Sequence, residues 1–355
     1  MLKRIVLSGY YGFGNIGDEA VMEGVRATLN EAGVDAGITV LSADPERTMR
    51  EHPGVESVHR YKLAPVIRAI MQADLVISGG GSLFQDATSA RSTYYYLFVL
   101  RLAQVLRRRT MAYAQGVGPL NREKVRVAVA KTLNRTDVIS VRDEGSKALL
   151  ESIGVKREVV VAADPSFVVE PDLKKADTII TQAGLGGQKI IGVSLRPWHG
   201  CEEWLRDAAL ITAEACDELG VRAAFIPMQV AEDSAIGNGT GVPILRHGGD
   251  VRTAKGLIAR CELVVGMRLH SLIFAAGAGI PFVPVIYDPK VSSFAAAVDM
   301  GQGVEAGSSK PDELKRHIVK AWEERASSKS KLISRTVELR DQALVPGKLA
   351  GKLLY

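Results

Sequence analysis

The sequence predicts an α/β protein with two Rossmann-like, doubly wound domains. Short apolar runs alternate with helical patterns along the chain, which is the rhythm of βαβ units. Several runs end in glycine-rich or charged turns, as strands of parallel sheets do where ligands bind. The rhythm stops at residues 170–187, a segment rich in Lys, Asp and Gly that reads as a linker, and a second series then begins.

The N-terminal series has the apolar content of a parallel sheet buried on both faces. Strands are predicted over residues 4–7, 38–41, 75–78, 110–113, 138–141 and 159–161, and helices over residues 20–32, 93–107 and 123–134. We assign residues 1–172 to an N-terminal Rossmann-like domain.

The C-terminal series repeats the pattern. Strands are predicted over residues 190–195, 223–227, 263–265 and 282–286, and helices over residues 201–219, 252–259, 271–276 and 312–325. We assign residues 188–326 to a C-terminal Rossmann-like domain and residues 327–355 to a helical tail. Because ligands of such sheets bind beyond the carboxyl ends of the strands, the active site is expected in the interdomain cleft.

Composition narrows the class of protein. The chain has 355 residues, 46% of them hydrophobic and 24% charged, which suits folded domains and argues against disorder. Three cysteines without metal-type spacing indicate reduced thiols, and no apolar run suggests a signal peptide or membrane helix, so a soluble, cytoplasmic protein is expected. The net charge of +5 favours anionic partners, but no nucleic-acid-binding signature accompanies it.

The first strand leads into a glycine-rich turn that carries a carboxylate, residues 8–19, SGYYGFGNIGDE. Glycines allow close approach of a ligand to the backbone, and a helix N-terminus supplies free N–H groups, so an anionic or polyhydroxylated ligand is expected. The spacing matches neither the dinucleotide fingerprint nor the phosphate-binding loop, which disfavours NAD and ATP. The alternative is a tight turn in which Asp18 only caps the helix.

A second cluster follows two strands of the C-terminal half. Arg268 and His270 come after the strand at 263–265, and Lys290 comes after the strand at 282–286. Arginine binds carboxylates and phosphates with two prongs, lysine acts as a point charge, and histidine exchanges protons near neutral pH. Each residue alone has an ordinary explanation, a surface lysine or a hydrogen-bonded histidine, but together they predict a site for a small anion.

A third cluster ends the N-terminal strands. Arg142 comes just past the strand at 138–141 and is expected to face the cleft. Asp143 either caps the next helix or holds a substrate hydroxyl.

The motifs together resemble the polysaccharide pyruvyltransferase family, in order and spacing, from residue 3 to about residue 325. They are GFGNIGDEA at 12–20, GGG at 79–81, AQGVGP at 114–119, VRD at 141–143, DP at 164–165, MRLH at 267–270 and DPK at 288–290. The resemblance is strongest to bacterial ketal pyruvyltransferases that modify a secondary cell-wall polymer for anchoring of surface-layer proteins. It implies a glycosyltransferase-B-like fold, phosphoenolpyruvate as donor and an N-acetylmannosamine residue of a lipid-linked glycan precursor as acceptor.

The resemblance also implies roles for individual residues. The donor-binding and catalytic positions are Arg142, Arg268, His270 and Lys290. The acceptor side carries Gly14, Asn15, Gly17, Asp18, Gly80, Gly81 and Gln115.

The chemistry of such a donor agrees with these positions. An acid protonates the methylene carbon, one sugar hydroxyl attacks, phosphate leaves, and a second hydroxyl closes a 4,6-linked ketal. His270 is the best proton donor near neutral pH, and Asp18 is the candidate base. Phosphoenolpyruvate is a substrate, so no cofactor and no metal are expected.

Two other functions remain open from the sequence. A nucleotide-sugar glycosyltransferase of the same fold needs a pocket for a nucleotide diphosphate, and a non-catalytic glycan- or phosphate-binding module needs no His270. The His270 and Lys290 pair favours the transferase.

Residues 94–109, YYYLFVLRLAQVLRRR, combine tyrosines, an apolar face and a basic end. This pattern suits a helix that touches the anionic inner surface of the cell membrane. A crossover helix packed on the sheet has the same apolar content, which is the alternative.

Overall fold

The computed structural model describes residues 2–87, 89–301 and 303–355. The chain divides into two compact units. The N-terminal unit comprises Met1–Phe13, Asp18–Val169 and Leu339–Tyr355, and the C-terminal unit comprises Gly14–Gly17 and Glu170–Glu338.

The N-terminal unit contains a seven-stranded parallel sheet. Its strands are β1 Lys3–Tyr11, β2 Ala36–Ser42, β3 Glu56–His59, β4 Leu75–Phe84, β5 Arg109–Val117, β6 Val138–Val141 and β7 Val159–Val161. Their order in the sheet is β3-β2-β1-β4-β5-β6-β7. The helices that follow them are α1 Ile16–Glu31, α2 Pro45–Glu51, α3 Leu63–Gln72, α4 Ala90–Val105, α5 Glu123–Leu133 and α6 Glu144–Ser152, with a 3-10 turn at Pro165–Val168.

The C-terminal unit contains a five-stranded parallel sheet. Its strands are β8 Ile190–Ser194, β9 Arg222–Phe225, β10 Leu263–Gly266, β11 Phe282–Ile286 and β12 Val304–Glu305, in the order β12-β11-β10-β8-β9. Its helices are α7 Leu173–Gln182, α8 Glu202–Glu218, α9 Val230–Gly237, α10 Val251–Ala259, α11 Leu269–Gly277, α12 Pro289–Ala297 and α13 Pro311–Glu323. A last helix, α14 Arg325–Leu354, contributes residues to both units.

Both faces of the N-terminal sheet are covered, as its apolar strands require. Ile5 and Leu7 of β1 pack in a cluster with α1. Val6, between them, belongs to a separate cluster with α3 and α4. Successive side chains of a strand point to opposite faces, so a single strand supplies two cores. Each fully buried aliphatic side chain stabilises the fold by about 1.5–3 kcal/mol. The predicted fold class, α/β with two parallel-sheet domains, is confirmed.

The predicted linker at 170–187 is wrong, because it contains α7. Asp172 caps this helix by accepting a hydrogen bond from Lys175 N at 3.0 Å. Ala176 and Ile180, four residues apart, form its buried face. The C-terminal unit therefore begins at residue 170 rather than 188, and it extends to residue 338 rather than 326. Helix α7 was not predicted because its two buried residues stand among many polar ones in the sequence.

Three boundaries differ near the predicted site. Helix α1 begins at Ile16 rather than at residue 20, and β4 and β5 continue through the glycine motifs that were predicted to be turns. Several short elements were not predicted from the sequence, namely α2, β3, α3, α9, α12 and β12. Among the described residues, none of the helices combines the length and apolarity needed to cross a bilayer.

Candidate active site

The glycine turn that follows β1 is stabilised by Glu19. Its carboxylate, 2% exposed, accepts a hydrogen bond from Gly12 N at 2.9 Å. Gly12 has φ of +79°, and a Cβ there would lie 2.1 Å from Ser42 Oγ, so the position requires glycine. Asn15 Oδ1 accepts from Gly17 N at 3.1 Å, which satisfies one donor at the start of α1. The cap predicted for Asp18 is therefore supplied by Asn15.

Asp18 lies in the first turn of α1 and is half-buried. A Cβ added to Gly81, which has φ of +79°, would lie 3.1 Å from Asp18 Oδ1. The carboxylate thus sits beside the glycines of β4. Gly80 is needed for a different reason, since its Cβ would lie 2.4 Å from Val21 of α1. Gly80 and Gly81 allow β4 to approach α1 closely, so the carboxylate of Asp18 lies beside β4.

Gln115 supports the same glycines from the interior. Its side chain is fully buried; Nε2 donates to Gly81 O at 2.8 Å, and Oε1 accepts from Ser78 Oγ at 3.2 Å. An amide with these bonds fixes the backbone of β4. The structure therefore places Gln115 under the glycines and away from solvent, although the sequence placed it among the acceptor-binding residues.

His52 was not predicted as part of the site. This buried imidazole lies between two carboxylates of α1, with Nε2 3.2 Å from Glu19 Oε2 and Nδ1 3.2 Å from Glu23 Oε1. Burial alone lowers the pKa of His52, but the hydrogen bonds to Glu19 and Glu23 outweigh it and raise the pKa to about 9. The charged ring neutralises Glu19, the residue that holds the glycine turn.

This pair predicts a pH-dependent stability. Because the folded pKa of His52 is about 9 and its ordinary value is 6.5, protonated His52 stabilises the fold fully below pH 6.5. The contribution, on the order of 3 kcal/mol, is lost as pH rises through about 9. The thermal midpoint should fall over this range, and His52→Gln should flatten the profile. The exposed His199 serves as control, since His199→Gln should leave the profile unchanged.

Arg142 is fixed within the N-terminal unit. It follows β6 with its side chain 8% exposed; Nη2 donates to Ser82 Oγ at 2.9 Å, and Nη1 lies 3.5 Å from Asp164 Oδ2. The guanidinium lies against Gly116, where a Cβ would be 2.7 Å from Nη2. A larger residue at Gly116 would displace it, so the AQGVGP motif fixes the position of Arg142.

Asp143 acts as a helix cap. Its Oδ1 accepts from Ser146 N at 2.6 Å at the start of α6, and Oδ2 lies 3.7 Å from Arg142 Nε. Of the two roles that the sequence left open, capping is the one present in the structure.

The predicted residues of the C-terminal unit follow two of three neighbouring strands. Strand β10 lies between β11 and β8, and all three are parallel, so the segments that follow them leave the sheet at the same edge. Arg268 and His270 follow β10, and Lys290 follows β11. The segment after β8 contributes Arg196, which the sequence analysis did not single out.

Arg268 is largely engaged by a buried carboxylate. Its side chain is 7% exposed; Nε lies 3.0 Å from Asp233 Oδ2, and Nη2 lies 2.5 Å from Oδ1. Asp233 is fully buried and also accepts from the backbone N–H groups of Met228 and Gln229, at 3.0 and 2.9 Å. Nη1 takes no part in the bonds to Asp233. The pair joins α11 to α9. The carboxylate of Asp233 offsets the positive charge of Arg268, so the site has less net positive charge than the sequence suggests.

His270 is the second residue of α11. Its ring lies against the backbone of Gly17, where a Cβ would come within 2.2 Å of Nδ1. Phe274, one turn later, meets the ring edge-on with centroids 6.3 Å apart. Gly17, predicted as an acceptor residue, therefore also leaves room for the imidazole.

Lys290 is the second residue of α12 and is about one-third exposed. Asp288 caps the helix by accepting from Lys290 N at 3.0 Å, and its Oδ2 lies 3.3 Å from Lys290 Nζ. Nζ also lies 5.4 Å from the centre of the Tyr287 ring. The ammonium is held near the end of β11 and remains open to solvent.

Arg196 lies between two aromatic rings. Its guanidinium is 5.4 Å from the Tyr287 ring and 5.6 Å from the Trp198 ring. Within the described chain it has no carboxylate partner; Nη1 makes one long contact with Tyr287 Oη at 3.5 Å, and the buried Nε has no hydrogen-bond partner. A buried donor without an acceptor costs about 1–3 kcal/mol, which an anionic ligand would offset. Arg196 and Lys290 both contact the Tyr287 ring, so the two cations lie in the same small region.

The described residues contain no group of three or more His, Cys, Asp or Glu side chains arranged to hold a metal ion.

Comparison with known proteins points to one family. A family model described as polysaccharide pyruvyl transferase matches residues 15–289. The amylovoran biosynthesis protein AmsJ of Erwinia amylovora is 22% identical, in an alignment that covers 81% of this chain and 84% of that protein.

Solved structures share the fold at low identity. Anabaena HepE in complex with UDP-glucose is 14% identical, with a TM-score of 0.65 and 99% of each chain covered. The UDP-GlcNAc 2-epimerase of Neisseria meningitidis is 12% identical, with a TM-score of 0.64, and the match covers 99% of this chain and 100% of that one. These neighbours support the predicted glycosyltransferase-B-like architecture.

Proposed function

Because the chain belongs to the polysaccharide pyruvyl transferase family, we propose that it transfers the enolpyruvyl group of phosphoenolpyruvate to two hydroxyls of one glycan residue. The acceptor we propose is an N-acetylmannosamine residue of a lipid-linked cell-wall glycan precursor, and the product is a 4,6-linked pyruvate ketal, as the family resemblance of the motifs suggests. Pyruvyl transfer onto a polysaccharide is the family activity.

One observation carries the donor assignment. Arg196 and Lys290 both lie 5.4 Å from the Tyr287 ring, and His270 follows the neighbouring strand β10. Phosphoenolpyruvate has a carboxylate and a phosphate on one small frame, so it needs cations that meet two anionic groups. A planar guanidinium suits the two-pronged recognition of one group, and the ammonium of Lys290 suits the other.

The proposed chemistry uses His270 as proton donor. The imidazolium gives its proton to the methylene carbon, and the adjacent carbon becomes cation-like and is attacked by the first sugar hydroxyl. The bond from this carbon to the phosphate oxygen then breaks, phosphate leaves with both bonding electrons, and the second hydroxyl of the same sugar closes the ketal. Two hydroxyl protons are released: one restores the proton that His270 gave to the methyl group, and the other is taken by the departing phosphate. We assign removal of the first hydroxyl proton to Asp18, which lies beside the glycines of β4.

The function is tested with the full chain, phosphoenolpyruvate and a synthetic lipid-linked acceptor ending in N-acetylmannosamine. We expect phosphate release together with a product whose mass shows one added pyruvyl ketal. UDP-sugars form the comparison arm, because a glycosyltransferase of this fold would instead release UDP. Release of UDP with no pyruvylated product would overturn the proposal.

Loss of either cation should weaken donor binding. Arg196→Ala and Lys290→Ala each remove a charged hydrogen-bonding partner, which costs about 1.5–3 kcal/mol, or roughly 10- to 150-fold in the Kd for phosphoenolpyruvate. Arg196→Lys should recover only part of the affinity, since it keeps the charge but loses the buried Nε donor. Calorimetry measures both effects, and Arg206→Ala, at an exposed arginine of α8, is the control. Unchanged affinity in both alanine variants would show that the donor binds elsewhere.

Asp18→Asn should separate catalysis from stability. Asn15 supplies the hydrogen bond at the start of α1, so this substitution removes a charge and keeps the helix start intact. We expect an unchanged thermal midpoint and a kcat about 100-fold lower for transfer to the glycan, the effect of losing a general base. Asp172→Asn, which changes the cap of α7, is the matched control and should alter neither. A normal kcat in Asp18→Asn would rule out a base at this position.

A further inference from the structure

Helices α3 and α4 lie side by side on one face of the N-terminal sheet. Their inward side chains share one apolar cluster, to which Val66 and Ile70 of α3 and Val99 and Ala103 of α4 contribute. The opposite faces of both helices therefore point away from the sheet.

These outward faces are unusually apolar for exposed surface. Six large hydrophobic side chains on α3, on the segment just before it and on α4 are between 43% and 77% exposed: Tyr61, Leu63, Met71, Tyr94, Phe98 and Val105. On α4 they lie on one side of the helix, at positions 94, 98 and 105, with the exposed Arg101 between Phe98 and Val105. Several exposed apolar side chains on two neighbouring helices mark an interaction site more often than isolated residues do.

The same surface carries positive charge without any carboxylate from its own segments. Residues 57–73 and 87–122 contain no Asp or Glu, whereas they contain exposed basic residues at Arg68, Arg91 and Arg101. Apolar side chains together with an excess of positive charge complement an anionic, partly apolar partner.

An arginine-lined groove lies at the C-terminal end of α4. It has a volume of about 620 Å³, and its lining includes Arg101, Arg107, Arg108, Arg109 and Arg135. The carboxylate in the lining, Asp137, accepts from Thr110 N at 2.7 Å and from Thr110 Oγ1 at 3.1 Å. Nε of Arg108 is buried and has no hydrogen-bond partner within the described chain. Several guanidinium groups around one space suit a phosphate group.

We propose that this surface, called here the basic-apolar face, docks on an anionic membrane. Exposed side chains of α3 and α4 enter the boundary between headgroups and acyl chains, and the arginine groove binds lipid phosphates. The inference is independent of the reaction proposed above, because it uses none of the residues assigned to donor or acceptor.

A second copy of the chain fits this face less well than a membrane. A symmetric contact would bring two sets of arginines together with no carboxylate from residues 57–73 or 87–122 to pair with them. Nucleic acid would meet the arginines, but it offers no apolar phase for Met71 or Val105, which are 52% and 77% exposed.

The test is co-sedimentation of the full chain with vesicles. One set contains phosphatidylcholine alone, and the other contains phosphatidylcholine with one-third phosphatidylglycerol. We expect partitioning to the anionic vesicles only, weakened by high salt because exposed charges are screened. Arg101→Glu with Arg109→Glu should reduce partitioning about 25-fold or more, at roughly fivefold for each lost arginine. Arg206→Glu with Arg246→Glu, the same charge change at exposed arginines of the C-terminal unit, should have little effect.

A second variant tests the apolar part. Phe98→Ser with Val105→Ser removes exposed apolar side chains without changing charge, so it should reduce partitioning at low and high salt alike. Far-ultraviolet circular dichroism and the thermal midpoint verify that the variants fold. Equal partitioning of all variants, or none to anionic vesicles, would overturn the proposal. So would a dimer in sedimentation velocity that the serine variant dissociates, or tight RNA binding with no vesicle binding.

Discussion

His270→Ala should lower kcat about 100-fold or more while phosphoenolpyruvate still binds with an affinity close to normal. A general acid acts in the transition state, so its loss appears mainly in kcat, whereas the ground-state contacts of the donor are assigned to Arg196 and Lys290. Calorimetry gives the donor affinity, and the initial rate of phosphate release gives kcat. Near-normal turnover in the alanine variant would remove His270 from the mechanism.

Gly17→Ala provides the same test without touching the histidine. A Cβ at residue 17 would lie 2.2 Å from His270 Nδ1, so the ring must move. Alanine is a better helix former than glycine, so α1 should keep its stability while kcat falls. Gly145→Ala is the matched control: it is also the second residue of a helix, and its Cβ would meet Asp143 Oδ1 at an ordinary 3.4 Å. If Gly17→Ala turned over normally, the position of the ring would not matter to the reaction.

The fold could be predicted from the sequence because parallel strands are buried on both faces and read as continuous apolar runs. The strands at 138–141 and 282–286 have the predicted bounds for this reason. The edge strand at 159–161 also has them, although only Val159 is buried there. Elements with one short buried face were harder to predict. Helix α2 has a single buried residue, Thr48, and helix α7 was hidden in a polar segment, so neither had a strong period.

The site was predicted only in part, because the sequence shows which residues follow strands but not what they pair with. Asp233 lies 35 positions before Arg268, and nothing in the local pattern links the two. His52 was missed for the same reason, since its partners Glu19 and Glu23 belong to a helix far away in sequence.

Arg196 could have been recognised from the sequence as a candidate site residue. It directly follows the predicted strand at 190–195, just as Arg268 follows the strand at 263–265. What the sequence could not supply was the strand order, which places β8 next to β10 and brings Arg196 to the ring of Tyr287.

The buried pair of Arg268 and Asp233 should have the largest effect on stability. Arg268→Ala leaves a fully buried carboxylate without its cation, a change that typically costs about 3–5 kcal/mol. The denaturant midpoint of the full chain should fall accordingly. Adding Asp233→Asn should restore part of the loss, because the neutral amide oxygen still accepts from Met228 N and Gln229 N but no charge is left buried.

The same double variant decides whether Arg268 also binds the donor. Two of its nitrogens, Nε and Nη2, are used by Asp233, and Nη1 is not. If Nη1 meets the donor, as the family resemblance of the MRLH motif implies, the double variant should regain stability while its affinity for phosphoenolpyruvate stays about tenfold or more below normal. Recovery of both stability and affinity would instead make Arg268 a structural partner of Asp233 that positions α11 and His270. In that case Arg196 and Lys290 would bind the donor in this unit. Donor binding should then be lost in their alanine variants.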